Sequence, residues 1–246
     1  MKLLGLIGYP LIQSFSPSYF KQKFETEKIS NYEYQLFEIE NIQQLPTLLQ
    51  TNKNLIGFNV TIPYKQAVLQ YVHTQHPVVQ QCGATNCITI HNGVLTAYNT
   101  DVVGFQLSLQ PLLQKQHSKA LVLGTGGAAK AVAYVLEQLH IPYKYVSRHK
   151  QQPNTITYNE VTAAVIQQYH LIINASPSGM VPNPTTFPPL PYEALTTQHL
   201  LYDLVYKPNE TIFLQKGKQQ GAVVKNGLEM LHLQADEAWR IWQQST

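Results

Sequence analysis

The apolar run Ala120–Leu123 passes directly into Gly124-Thr125-Gly126-Gly127-Ala128-Ala129, and an Ala-, Val- and Leu-rich stretch continues to Leu139. No other segment limits the fold as tightly. A strand that is apolar at every position is buried on both faces, as in a parallel sheet covered by helices. Gly124, Gly126 and Ala129 fit G-x-G-x-x-A at a strand-to-helix junction. There the first glycine makes the tight turn and the second lets backbone approach a pyrophosphate. The small third residue lets the helix pack on the strand, with the N–H groups of its first turn facing the phosphate. The pattern is common on its own; in this context it points to a bound dinucleotide.

The surrounding chain carries the same alternation. Tyr143–Val146, Leu171–Asn174 and Leu200–Val205 read as further strands of that sheet, and Ala222–Val224 as one more. Val102–Gln114 and Ala128–Leu139 read as helices. The first hundred residues form a separate set. Leu3–Ile7, Tyr32–Phe37 and Leu55–Thr61 are strands. Ser16–Glu27 is a helix with Ser16 as cap and Pro17 as first position, and Asn41–Gln50 and Lys65–Val72 are helices by period. Asn86–Ile90 and Val94–Tyr98 flank Asn92-Gly93, a two-residue hairpin signal because both turn positions need φ > 0. Leu228–Gln243 is an amphipathic helix, with Trp239 and Trp242 spaced to anchor it. The pattern predicts an α/β chain of two domains. Residues 1–100 plus 227–246 form an N-terminal α/β substrate domain, and 101–226 form a Rossmann-like dinucleotide domain with a parallel sheet.

Composition excludes several classes. The net charge of +3 is small and spread out, without a Lys/Arg run, so no nucleic-acid partner is expected. No apolar run reaches membrane-spanning length, and the one at the N-terminus is too short for a signal peptide. Cys82 and Cys87 fit neither a zinc pair nor a CxxC motif and read as buried reduced thiols of a cytoplasmic protein. The nine histidines form no H-x-x-x-H or His/Cys cluster, so no metal is expected.

The end of the next strand selects the cofactor. It reads Val146-Ser147-Arg148-His149-Lys150. An NAD site usually has an acid there to accept from the ribose 2′-hydroxyl. Here the acid is missing, and Arg148 can bind a 2′-phosphate bidentately. NADP is the expected cofactor, so 101–226 is the NADP-binding domain.

Three polar segments precede the glycine loop: Ser14-Phe15-Ser16-Pro17, Asn59-Val60-Thr61-Ile62-Pro63-Tyr64-Lys65 and Asn99-Thr100-Asp101. Singly, each has an ordinary explanation: Ser16 or Asp101 as a helix cap, Lys65 as a surface lysine. Together with G-A-x-N at Gly83–Asn86, N-A-S-P-x-G-M at Asn174–Met180, Y-D-L-V-Y at Tyr202–Tyr206 and N-G-L-x-M-L-x-x-Q-A at Asn226–Ala235, they resemble the shikimate dehydrogenase family, in order and over nearly the whole chain. The resemblance implies reversible NADP-dependent reduction of 3-dehydroshikimate to shikimate, in aromatic amino-acid biosynthesis. It implies Ser14 and Ser16, with Tyr206, for the substrate carboxylate, and Thr61, Asn86, Asp101 and Gln234 for the ring hydroxyls. Lys65 would be the general acid/base, with Asp101 beside it. The loop Gly124, Thr125, Gly126, Gly127 and Ala128 would hold the cofactor, with Ser147 and Arg148 at its adenosine phosphate and Leu204 and Gly227 near the nicotinamide.

The chain departs from the family pattern at two of these places. The adenosine motif, commonly Asn-Arg-Thr, is Ser147-Arg148-His149, leaving His149 and Lys150 to compensate. Glu229 stands where many relatives have glycine. A quinate/shikimate dehydrogenase of relaxed specificity and a non-catalytic NADP- or shikimate-binding regulator are the alternatives; the presence of both Lys65 and Asp101 counts against the second. Either a monomer or a homodimer is compatible with the sequence.

Overall fold

The apolar N-terminal run forms β1 (Lys2–Gly8), the strand on which the first unit is built. In the computed structural model, which describes residues 1–11, 14–150 and 153–244, the chain divides into two units. Met1–Thr100 and Ala235–Thr246 form the first, and Asp101–Gln234 the second. In the first, β1 is followed by α1 (Ser16–Thr26), β2 (Tyr32–Glu38), α2 (Leu45–Thr51), β3 (Leu55–Val60), β4 (Thr74–Gln75), α3 (Pro77–Cys82), β5 (Cys87–His91) and β6 (Val94–Tyr98). The sheet order is β2-β1-β3-β5-β6-β4. β1 runs parallel to β2 and β3, and the β5–β6 hairpin is antiparallel to β3. Asn92 and Gly93 turn that hairpin with φ of 50° and 78°.

Alternation along β1 and β3 sends side chains to two cores. Leu3, Ile7 and Phe58 pack with Val68, Val79 and Ile88 on one face. Leu4 packs on the other with Phe20 and Phe24 of α1 and with Trp239 and Trp242 of the last helix. Gly57 makes that second packing possible. A Cβ there would lie 2.5 Å from Trp242 Nε1, whose N–H donates to the Ile88 carbonyl at 3.0 Å.

The second unit contains α4 (Thr100–Leu109, from Asp101 on), β7 (Ala120–Leu123), α5 (Gly127–Gln138), β8 (Tyr143–Ser147), β9 (Thr155–Thr157), α6 (Ala163–Ile166), β10 (Leu171–Asn174), β11 (Leu200–Asp203), α7 (Ile212–Gln219) and β12 (Val223–Lys225). Its sheet, β12-β11-β10-β7-β8-β9, is parallel throughout. β7, β10 and β11 are buried at every residue, as their unbroken apolar runs require. The last helix, α8 (Leu228–Gln244), begins in this unit and ends in the first.

Several local readings change. Lys65–Val72 is not an α-helix: Ala67–Tyr71 is a 3₁₀ helix, and Lys65 stands on the turn before it. The Lys65 carbonyl accepts from Thr85 N–H at 2.8 Å, which takes the acceptor that a helix starting there would use. Ser16 is not a cap. Phe15 occupies the cap position, in helical conformation, and Ser16 is the first helical residue. Asp101 lies inside the first turn of α4 rather than ahead of it. The chain returns to the first unit at Ala235, not at Gly227, because the start of α8 packs on α4. A Cβ at Gly104 would sit 2.6 Å from the Met230 carbonyl and 3.1 Å from Gln234 N. β4, β9, α3, α6 and α7 are too short to declare themselves by periodicity.

Trp242 fills the face between α1, β3 and α8 with no exposed surface. Trp242→Ala is expected to cost about 3–5 kcal/mol through the lost contacts and the cavity left behind. A urea midpoint for the whole chain that shifts by the equivalent of less than about 1 kcal/mol would contradict this packing role.

Candidate active site

Parallel strands present their carboxyl ends on one edge of a sheet, and an antiparallel neighbour presents its start there. In the first unit this gathers the loop after β1, the turn after β3 and the residues flanking the β5–β6 hairpin on one edge. Ser14, Ser16, Thr61, Lys65 and Asn86 all come from these segments. Thr61 N–H bonds the Ile7 carbonyl at 2.9 Å, and the Thr61 carbonyl takes Tyr64 N–H at 2.9 Å, which closes the turn leading to Lys65. The Ser14 hydroxyl donates to the Leu11 carbonyl at 3.1 Å.

Behind these residues lies a connected polar network. The Tyr34 phenol lies near the Ser16 side chain and donates to Asn59 Oδ1 at 2.8 Å. Asn59 Nδ2 donates to the Asn86 carbonyl at 3.1 Å. Asn86 then closes a two-bond clasp with Thr100, accepting its N–H at 2.7 Å and donating to its hydroxyl at 2.9 Å. Asn59, Asn86 and Thr100 are all buried. Burial pushes the Tyr34 phenol up, with the nearby Ser16 working the other way, and Phe20 stacks on its ring at 4.5 Å. Tyr34 and Asn59 were given no site role from sequence, because only the pairing of β2 with β1 and of β1 with β3 brings them together.

In the second unit the carboxyl edge carries Gly124, Ser147, Arg148, Leu204 and Gly227. Gly124 has φ of 107°, and a Cβ on it would lie 3.2 Å from both the Ala175 carbonyl and Ser176 N after β10. Glycine is required there for both reasons. Gly126 caps α5 with no side-chain bond, and a Cβ on it would meet nothing within 4 Å. The glycine loop therefore offers N–H groups of the first turn beside open space, at the point where the strand order passes from β7 to β8 on one side and β10 on the other. These residues fit a pyrophosphate. Gly227 lies directly on Leu204: a Cβ would be 2.2 Å from the Leu204 carbonyl. The two residues expected beside the nicotinamide are thus in contact. Tyr206 is half-buried, which raises its phenol. Asp101 and Gln234 are buried on α4 and α8 near their contact at Gly104, and Gln234 Nε2 donates to the Leu231 carbonyl at 2.9 Å. Lys150 pairs with Glu160 at 2.6 Å, and Glu229 pairs with Lys225. Among the described residues no cluster of His, Cys, Asp and Glu could hold a metal ion, and no helix is long and apolar enough to cross a membrane.

Residues 6–88 match the shikimate dehydrogenase substrate binding domain. A shikimate dehydrogenase (NADP(+)) of Nostoc sp. is 37% identical over 99% of this chain and 91% of its own length. The chain belongs to the shikimate dehydrogenase family. Among solved structures of that architecture, shikimate 5-dehydrogenase of Thermus thermophilus in complex with NADP(H) and shikimate is 29% identical, covers 99% of this chain and 94% of its own, and superposes with a TM-score of 0.87. Quinate dehydrogenase of Corynebacterium glutamicum in complex with NAD is 27% identical, with the same coverage and a TM-score of 0.87. The family's two-domain α/β architecture, with a Rossmann-like parallel sheet, is the fold described above.

The family motif Y-D-L-V-Y contains a residue whose role the sequence did not reveal. Asp203, with no exposed surface, accepts from Asn174 Nδ2 at 2.9 Å, Val205 N–H at 3.0 Å and the Thr211 hydroxyl at 2.6 Å. It ties the ends of β10 and β11 to the start of α7. Burial raises its carboxyl to about 6, against the pull of these bonds. The unfolded value is about 3.9, so the folded state binds the proton more tightly. The resulting stability is fully present below about pH 4 and is lost as pH rises through about 6. Urea unfolding of the wild type and Asp203→Asn at pH 4 and 7 should show the wild type losing on the order of 2–3 kcal/mol relative to the variant across that window. A difference independent of pH would contradict the shift.

Proposed function

We propose that this chain interconverts 3-dehydroshikimate and shikimate with NADP(H), a step of the pathway to chorismate and the aromatic amino acids. The observation that carries this reading is the relation to shikimate dehydrogenases over nearly the full length of the chain, with Lys65, Asp101 and the other motifs of the resemblance in order. When bound, NADPH supplies a hydride. Reduction of a ketone builds negative charge on its oxygen, and a donor must be poised there. Lys65 meets that need with a charge and a proton, as general acid in this direction and base in the other, and Asp101 is the second catalytic group.

Ser14, Ser16 and Tyr206 take the substrate carboxylate, while Thr61, Asn86, Asp101 and Gln234 take the ring hydroxyls. On the cofactor side, Gly124, Thr125, Gly126, Gly127 and Ala128 hold the pyrophosphate, Ser147 and Arg148 the adenosine phosphate, and Leu204 and Gly227 the nicotinamide end. The polar network through Tyr34 and Asn59 supports the role of Asn86, since it and the Thr100 clasp constrain that residue before any substrate arrives. The two buried free thiols, Cys82 and Cys87, suit a reducing cytoplasm, where the enzyme would act as a monomer or homodimer. The likeness to a quinate dehydrogenase favours one second reading, an enzyme of relaxed specificity.

Steady-state assays with shikimate or quinate, each with NADP or NAD, test the reading; shikimate with NADP should give the highest kcat/KM. Lys65→Ala should lower kcat by about 10²- to 10⁴-fold while shikimate binding, measured by calorimetry, holds within a few fold. Turnover surviving within a few fold would contradict the acid/base assignment.

A further inference from the structure

No acid follows β8 in sequence, but the fold brings one to its end. Residues 148–154 alone join the parallel neighbours β8 and β9, where such a crossover normally takes about a dozen residues or more. Ser147 lies in register with Thr157. The one-turn 3₁₀ helix Tyr158–Glu160 therefore follows immediately on the carboxyl edge that carries Arg148, His149 and Lys150. Glu160 is held there by three donors: Lys150 Nζ at 2.6 Å, Thr157 N–H at 2.7 Å and the Thr157 hydroxyl at 2.8 Å. The Thr157 N–H bond is one half of a capping box, whose other half is the Thr157 hydroxyl accepting from the Glu160 backbone N–H, and this fixes the carboxylate in place. The Lys150 bond, with the Thr157 bonds behind it, holds its carboxyl down at about 2. Burial raises the Tyr158 phenol on that helix, and the charge of Arg148 pulls it the other way.

A ribose 2′-phosphate would bring a charge of about −1.5 to −2 to this turn, and a fixed carboxylate opposes it. A 2′-hydroxyl would instead find in Glu160 the acceptor that an NAD site uses. Lys150 offsets that carboxylate, and in doing so its own charge is spent on Glu160 instead of the phosphate. Resting on the NADP reading above, we propose that the Glu160–Lys150 pair sets this chain's preference between a 2′-phosphate and a 2′-hydroxyl. Glu160 weakens the preference for NADP by holding Lys150, and Lys150 prevents Glu160 from turning the site toward NAD.

The test is calorimetric binding of 2′,5′-ADP and 5′-ADP, which differ at the ribose 2′ position, to the wild type, Glu160→Gln, Lys150→Gln and the double variant. Gln retains the capping-box acceptor, and thermal midpoints check the fold. Glu160→Gln should tighten 2′,5′-ADP by about 2- to 5-fold, less at high salt, with 5′-ADP unchanged or weaker. Lys150→Gln should weaken 2′,5′-ADP by about 10-fold, with 5′-ADP unchanged or tighter. The double variant should return toward wild type. The NADP/NAD ratio of kcat/KM should follow the same order. If Glu160→Gln leaves 2′,5′-ADP binding unchanged or weaker, or moves both nucleotides equally, the inference falls while the NADP reading stands. A wild type that binds neither nucleotide overturns the NADP reading itself.

Discussion

At the carboxyl end of a buried strand, the last backbone and side-chain polar groups must find partners inside the protein, because water does not reach them. Both units meet this constraint with a short-range polar knot. In the second unit it is Asp203, bonded to Asn174, Val205 and Thr211. Asn174 passes the constraint on to the following loop by accepting from Ser176 N–H and its hydroxyl. In the first unit it is the Asn86–Thr100 clasp with Asn59 and Tyr34 behind it. Removing one member leaves the others buried and unpaired, which costs more than the bond itself. The loops that carry the proposed site residues Asn86 and Leu204 adjoin these knots.

The topology then decides which residues meet. Parallel pairing in the second unit puts the ends of β7, β8, β10, β11 and β12 on one edge, so residues far apart in sequence, from Gly124 to Gly227, share it. The glycines mark where backbone has to come close: Gly124 against the turn after β10, Gly227 against Leu204, Gly104 against α8. In the first unit the mixed sheet does the same with one antiparallel hairpin, which brings Asn86 and Thr100 to the edge where β1 and β3 end.

The parts of the fold that were legible in the sequence are those governed by local rules. The apolar run and glycine loop of β7–α5 and the Asn92-Gly93 hairpin carry their own signals, and the site motifs stand out as polar residues where plain structure would not need them. What was hidden depends on distant pairing. Ser16 has the type and position of a cap, but the helix starts one residue earlier, and Tyr34 and Asn59 meet only through strand pairing. The helix expected at Lys65 is replaced by a turn because Thr85, twenty residues on, takes the Lys65 carbonyl. No acid directly follows Ser147 in sequence, and Glu160 reaches Lys150 on the 3₁₀ helix that follows β9. Asp203 was visible as part of a motif, but nothing local distinguishes a carboxylate that ties two loops together from one that faces water.

Hydride transfer between shikimate and NADP is the reaction proposed for this chain. The most direct measurement uses shikimate deuterated at the carbinol carbon that becomes the ketone, incubated with NADP and the purified protein. Deuterium is expected on the nicotinamide ring of the NADPH formed, with 3-dehydroshikimate as co-product. Binding of both molecules with no label transferred would contradict it.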